Sequence, residues 1–209
     1  MSEELKKTYT PFTEWTEKSK QTEYTKPTPL LKADGTLNAK GWARHNVFEY
    51  DRSKVKKGII SRKEWDFYTI TDGRMQLLVS FANINIGGYV GCKLTFLHTG
   101  EIIADAVSYF AGGNKHVPPA KGDVPNRFTG KIGKATFDFN TMKTERKLYF
   151  SKPHNGKTVE CDITMDILPD MENITTVLPF DEDNTRYFMT TKQACMPTEG
   201  YFRFGDYEY

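Results

Sequence analysis

Along most of this 209-residue chain, apolar and polar residues alternate with the two-residue period of a β-strand, and no stretch holds a 3.6-residue apolar period for three turns. Runs rich in Val, Ile, Phe, Tyr and Thr recur between Gly, Pro, Asn and Asp. They predict strands at His45–Tyr50, Ile59–Ile70, Met75–Ile84, Tyr89–His98, Ile102–Phe110, Lys134–Phe139, Arg146–Ser151, Thr158–Ile167, Arg186–Thr191 and Tyr201–Phe204. So many short strands imply an antiparallel barrel or sandwich. Thr99-Gly100 links two of them tightly. Asn155-Gly156 is the dipeptide favoured in a type I′ hairpin turn, because both central residues there need positive φ.

Parity assigns the strand faces. Val159, Cys161, Ile163, Met165 and Ile167 alternate with Glu160, Asp162, Thr164 and Asp166, so that strand is expected to be wet on one side. Met75, Leu77, Val79 and Phe81 alternate with Gln76, Leu78, Ser80 and Ala82, so this strand is expected to be covered on both sides. Such coverage suggests a barrel wall packed against something further.

The first 29 residues carry seven threonines, five lysines, five glutamates and three prolines, with only Leu5, Tyr9, Phe12, Trp15 and Tyr24 to pack. They are expected to form a polar arm, because so little apolar surface does not offset ordering entropy. The twenty-residue connection Ala111–Gly130 is rich in Gly and Pro, and is expected to be either a lid over the barrel mouth or a plain surface loop.

Charge narrows the classes of function. Twenty-nine basic residues against 27 acidic leave a net charge of +2, too balanced for the basic footprint of nucleic-acid binding. No apolar run approaches the about eighteen residues of a membrane span, and the N-terminus lacks a signal-peptide pattern. Cys92, Cys161 and Cys195 are odd in number and widely spaced, which fits reduced thiols and a cytoplasmic location.

The usual chemical signatures are missing. His45, His98, His116 and His154 never approach one another or a cysteine at ligand spacing, so no metal is expected. No phosphate loop precedes a helix, no serine occupies a nucleophile elbow, and no cofactor is called for. The densest chemistry lies in Arg62-Lys63-Glu64-Trp65-Asp66-Phe67-Tyr68. Parity puts Arg62, Glu64, Asp66 and Tyr68 on one face and Lys63, Trp65 and Phe67 on the other. If the first face is internal, Glu64 or Asp66 becomes a desolvated acid, with Arg62 to pair and Tyr68 to orient a substrate. If it is external, it is a solvated strand face laced by ion pairs, and Trp65 and Phe67 are ordinary core.

Together with Gly41-Trp42-Ala43-Arg44, Tyr50-Asp51-Arg52 and Gly88-Tyr89-Val90-Gly91, this stretch resembles the N-terminal half of an uncharacterised domain-of-unknown-function family found in bacteria and fungi. That family is distantly similar to carotenoid hydratase (hydroxyneurosporene synthase) and to lipocalin-like fungal cyclases. The resemblance runs from about Leu30 to the C-terminus; the lysine directly after Arg62 departs from the family's spacing. It implies a lipocalin-like (calycin) β-barrel over residues 30–199, the first of two. On that reading the aromatic segment 200–209 begins a second barrel, or is a strand exchanged in a homodimer.

Three functions are expected to compete. The first is binding of an apolar small molecule, a lipid or polyene, against Trp65, Phe67, Met75, Leu77, Val79 and Phe81. The second is a cofactor-independent hydratase, isomerase or cyclase using Asp66, Glu64, Tyr68 and Arg62. The third is a scaffold half-domain with a filled interior.

Overall fold

The computed structural model describes residues 21–55, 62–121, 124–180, 182 and 184–209. In chain order the strands are β1 (Thr28–Pro29), β2 (Gly41–Ala43), β3 (Phe48–Glu49), β4 (Glu64–Thr71), β5 (Met75–Asn83), β6 (Gly87–Phe96), β7 (Ile102–Ala111) and β8 (Asn126–Ile132). They continue as β9 (Ala135–Thr141), β10 (Glu145–His154), β11 (Lys157–Asp166), β12 (Ile174–Pro179), β13 (Tyr187–Lys192), β14 (Thr198–Phe204) and β15 (Tyr207–Glu208). The described residues contain no α-helix, only a single 3-10 turn at Arg52–Lys54.

Two meanders build the main body. Strands β4-β5-β6-β7 form a front sheet, and β15-β14-β11-β10-β9-β8 form a back sheet. The hairpins between them use the residues their turns require. Asn155 (φ 50°) and Gly156 (φ 75°) close β10–β11, as the dipeptide predicts, and Gly100 (φ 71°) closes β6–β7. A small sheet, β13-β12-β2, stands beside the front sheet, and β1 pairs with β3 in parallel.

The all-β antiparallel expectation holds, but the strands divide among separate sheets and close no barrel. Nor is there one core. The inner faces of the front and back sheets meet over Val79, Phe81, Val90, Leu94, Phe137, Phe150, Cys161 and Phe202, among others. A second cluster gathers Leu30, Leu31, Leu37, Ala39, Ala43, Phe48 and Val177 under the small sheet. The main core is closed by rings: Phe81 stands edge-on to Phe128 at 4.7 Å, and Phe137 lies 5.9 Å from Phe81 and 5.1 Å from Phe128.

Several expectations change. Residues 21–29 are no detached arm: Trp42 N–H donates to the Thr22 carbonyl at 3.0 Å, and Tyr24 packs edge-on to Phe48 at 5.2 Å. Residues 1–20 of the arm, residues 59–61 of the predicted strand Ile59–Ile70 and residues 122–123 of the long connection lie outside the described residues. That connection is shorter than expected, because β8 begins at Asn126. Its first half is tied down by the buried Asn83, whose amide donates to the carbonyls of Gly113 (2.6 Å) and His116 (2.5 Å). Strand β12 was not predicted. The aromatic C-terminal segment pairs within the chain: β14 lies along β11, with Phe202 opposite Cys161, and β15 folds back on β14.

Candidate functional site

Strand β4 is the edge of the front sheet, and its polar face is the internal one. Tyr68 is paired with Val79, Asp66 with Phe81 and Glu64 with Asn83, so these three side chains share the inner face with buried β5 residues. Trp65 and Phe67 therefore point outward. Of the two alternatives that the sequence leaves open, the structure takes the one with the carboxylates inside.

The four candidate acid–base residues divide into two groups. Glu64 sits where the two cores meet and is occupied by partners. It accepts from Arg52 Nε at 2.8 Å and from the Tyr50 hydroxyl at 3.1 Å, and Arg62 Nε lies 3.3 Å from its second oxygen. Arg52 also donates to the Pro118 carbonyl at 2.7 Å, and Arg62 to Asn85 Oδ1 at 3.3 Å. Burial and the nearby Glu64 carboxylate raise the Tyr187 phenol to about 12 and push Tyr50 higher still. A carboxylate so committed staples the small core to the front sheet and has little left for a substrate.

Asp66 and Tyr68 lie further along β4 and face Arg146 of β10. Burial raises the Asp66 carboxyl above the usual range, and the Arg146 charge opposes that rise. Burial also raises the Tyr68 phenol, with the Asp66 charge adding to it. Arg146 donates through Nη2 to Gln193 Oε1 at 3.1 Å, and its buried Nε has no hydrogen-bond partner among the described residues. This is a desolvated acid, a phenol and an incompletely matched guanidinium, the components of general acid catalysis.

The outer face of the same sheet is different in kind. Register aligns three rows across β4, β5, β6 and β7: Trp65, Ala82, Tyr89, Tyr109; Phe67, Ser80, Gly91, Val107; and Thr69, Leu78, Lys93, Asp105. Small residues at the middle of the second row leave a trough of about 310 Å³ between larger neighbours. Trp65 is 45% exposed, Phe67 55% and Tyr109 77%, so aromatic surface is offered to solvent. Trp65 also stacks on Phe188 of β13 at 5.8 Å, which extends the face onto the small sheet. A second depression, about 360 Å³, lies on the outer face of the back sheet among Arg127, Asp138, Asn140, Lys147, Tyr149 and Asp162. There the bidentate Arg127–Asp138 pair makes it a polar surface.

The proposed ligand wall is thus split by the thickness of the sheet. Met75, Leu77, Val79 and Phe81 are buried in the main core, while Phe67 lines the outer trough and Trp65 is exposed beside it on the same face. Tyr89, Lys93, Asp105, Tyr109, Phe188 and Arg146 were not singled out from the sequence. Parity along β6 and β7 could have placed the first four on one face, whereas Arg146 meets Asp66 only through sheet packing. Among the described residues no group of three or more His, Cys, Asp or Glu side chains could hold a metal, and no helix is long and apolar enough to cross a membrane.

An all-β protein of two apolar cores, with an aromatic outer trough and a polar inner row on one edge strand, is what fold and site define. The chain belongs to the family described as domain of unknown function (DUF2804), whose model matches residues 21–209. No curated protein and no solved structure matches it.

Proposed function

We infer that this chain is a binding module for a small molecule that lays an apolar face against the outer trough of the front sheet. The observation that carries the reading is the exposed rings of Phe67 and Tyr109 around a floor made by Ser80 and Gly91, with Trp65 exposed beside them on the same face. A filled interior supports a surface site over a barrel cavity: Phe81, Phe128, Phe137 and Phe139 occupy the space where a lipocalin-like ligand would sit. Titration with dansyl-undecanoic acid should show saturable fluorescence enhancement that Trp65→Ala and Phe67→Ala each weaken. A folded sample that takes up neither this probe nor any other ligand with an apolar face refutes the reading.

A second reading, cofactor-independent hydratase or isomerase chemistry, is favoured by one observation, the desolvated Asp66 beside Tyr68 and opposite Arg146. Asp66 would act as the acid and Tyr68 would orient the polar end, with Glu64 and Arg62 holding the strand in place. Recovery of an unchanged polyene after prolonged incubation removes it.

A further inference from the structure

The trough is apolar at one end and charged at the other, and this asymmetry defines its occupant more closely than aromatic exposure alone. Phe67, Tyr89 and Tyr109 present ring surface, and Val107 and the Cβ-less Gly91 form a flat floor. In the next row Leu78 stands beside Lys93 and Asp105, which face each other across β6 and β7. Their closest N–O approach is 3.9 Å, beyond hydrogen-bond distance, and both side chains remain partly exposed. They form a long ion pair without a hydrogen bond between them, so the donors of one and the acceptors of the other stay open to a ligand. The Ser80 hydroxyl lies on the floor between the rings and the pair.

We propose that the trough binds an oligosaccharide, stacking the C–H faces of successive pyranoses on Phe67 and Tyr109 while Lys93 and Asp105 take hydroxyls between them. The proposal rests on the binding reading above and names its ligand class. A lipid or polyene would gain nothing at the charged end and would have to desolvate two charges there. An anionic ligand would meet Asp105, and a cationic one Lys93. A neutral vicinal diol suits both, one hydroxyl donating to the carboxylate and its neighbour accepting from the ammonium. Pyranoses combine such diols with an apolar C–H face, and an aromatic ring with a wet edge is the side chain suited to that face. The shape agrees. The row from Phe67 to Val107 crosses three inter-strand spacings, about 14 Å, in an open groove that admits an oligosaccharide lengthwise.

Isothermal titration of the full chain with cellohexaose, xylohexaose, chitohexaose and maltohexaose, and with adenosine as a stacking diol of another class, tests this. At least one glycan should bind saturably. Tyr109→Ala and Asp105→Asn should each weaken it fivefold or more with the melting temperature unchanged, since both side chains are exposed. Lys93→Met should do the same, and Arg127→Ala on the far sheet should not. Uptake of dansyl-undecanoic acid without binding of any glycan overturns the saccharide and leaves the binding reading intact. Binding of adenosine alone, or glycan binding indifferent to Tyr109→Ala and Asp105→Asn, also overturns it. Failure of every probe removes both.

Discussion

Two phenylalanines one strand apart test the assignment of faces. Phe81 of β5 is fully buried and contacts Phe110, Phe128 and Phe137, whereas Phe67 of β4 is 55% exposed on the opposite side of the same sheet. Phe81→Ala removes a buried ring and leaves a cavity that the surrounding phenylalanines can only partly fill. Such truncations cost about 3–5 kcal/mol, to which the lost ring pairings contribute. Phe67→Ala removes a ring that is already half in water and should cost about 1 kcal/mol or less. For a chain of this size the first corresponds to about 6–20 °C in melting temperature and the second to a few degrees at most. Urea unfolding followed by fluorescence, with unchanged m-values, gives the difference directly. Equal losses in the two variants would mean that β4 does not present its aromatic residues to solvent, and the trough would not exist as described.

Gly156→Ala and Gly156→Val should each destabilise by roughly 1 kcal/mol, the valine more. The turn needs φ of 75° there, and nothing within 4 Å would clash with an added Cβ, so backbone strain alone is measured. Asp66→Asn should stabilise the fold near neutral pH. The folded carboxyl titrates above its unfolded value, so its favourable contribution is complete below the unfolded pKa and is lost as pH rises through the folded one. The advantage of Asn over Asp should vanish in acid, and a pH-independent difference between melting curves would contradict it. Asn83→Ala strips the ties to Gly113 and His116 and should cost about 1–3 kcal/mol while opening residues 112–121 to limited proteolysis. A thiol reagent should find Cys195 promptly in the native protein and Cys92 and Cys161 only after unfolding, because those two meet across the main core at 3.7 Å. Fast reaction of all three would refute that packing.

The period-two pattern made the two meanders legible, since each hairpin there carries its own turn residues. It missed β8 because Gly130 reads as punctuation. In the fold Gly130 lies opposite Phe137, whose ring comes within 3.1 Å of where a Cβ would stand. It missed β12 because Pro179 ends a short run whose alternation leaves only Val177 and Thr175 buried. The orientation of β4 was illegible for a different reason. Hydrophobicity alone would turn Trp65 and Phe67 inward, but Tyr68 and Ile70 share parity with Glu64 and Asp66, and partners supplied by distant segments make that polar face the internal one. Beside the local Arg62, Arg52, Tyr50 and Arg146 satisfy it, and no local pattern reveals which of these three arrive.

The small core is drawn from residues 30–48 and from Val177, Tyr187 and Met189, on either side of both meanders. During synthesis Leu30, Leu31, Leu37 and Phe48 leave the ribosome ahead of both meanders and find no covering strand until β12 and β13 follow, roughly ten seconds later at usual elongation rates. The front sheet has no such wait, because its four strands are consecutive and its pairings local. The small core is therefore the one whose first residues wait longest for their covering strands, and it is there that a nascent chain of this protein would engage a chaperone.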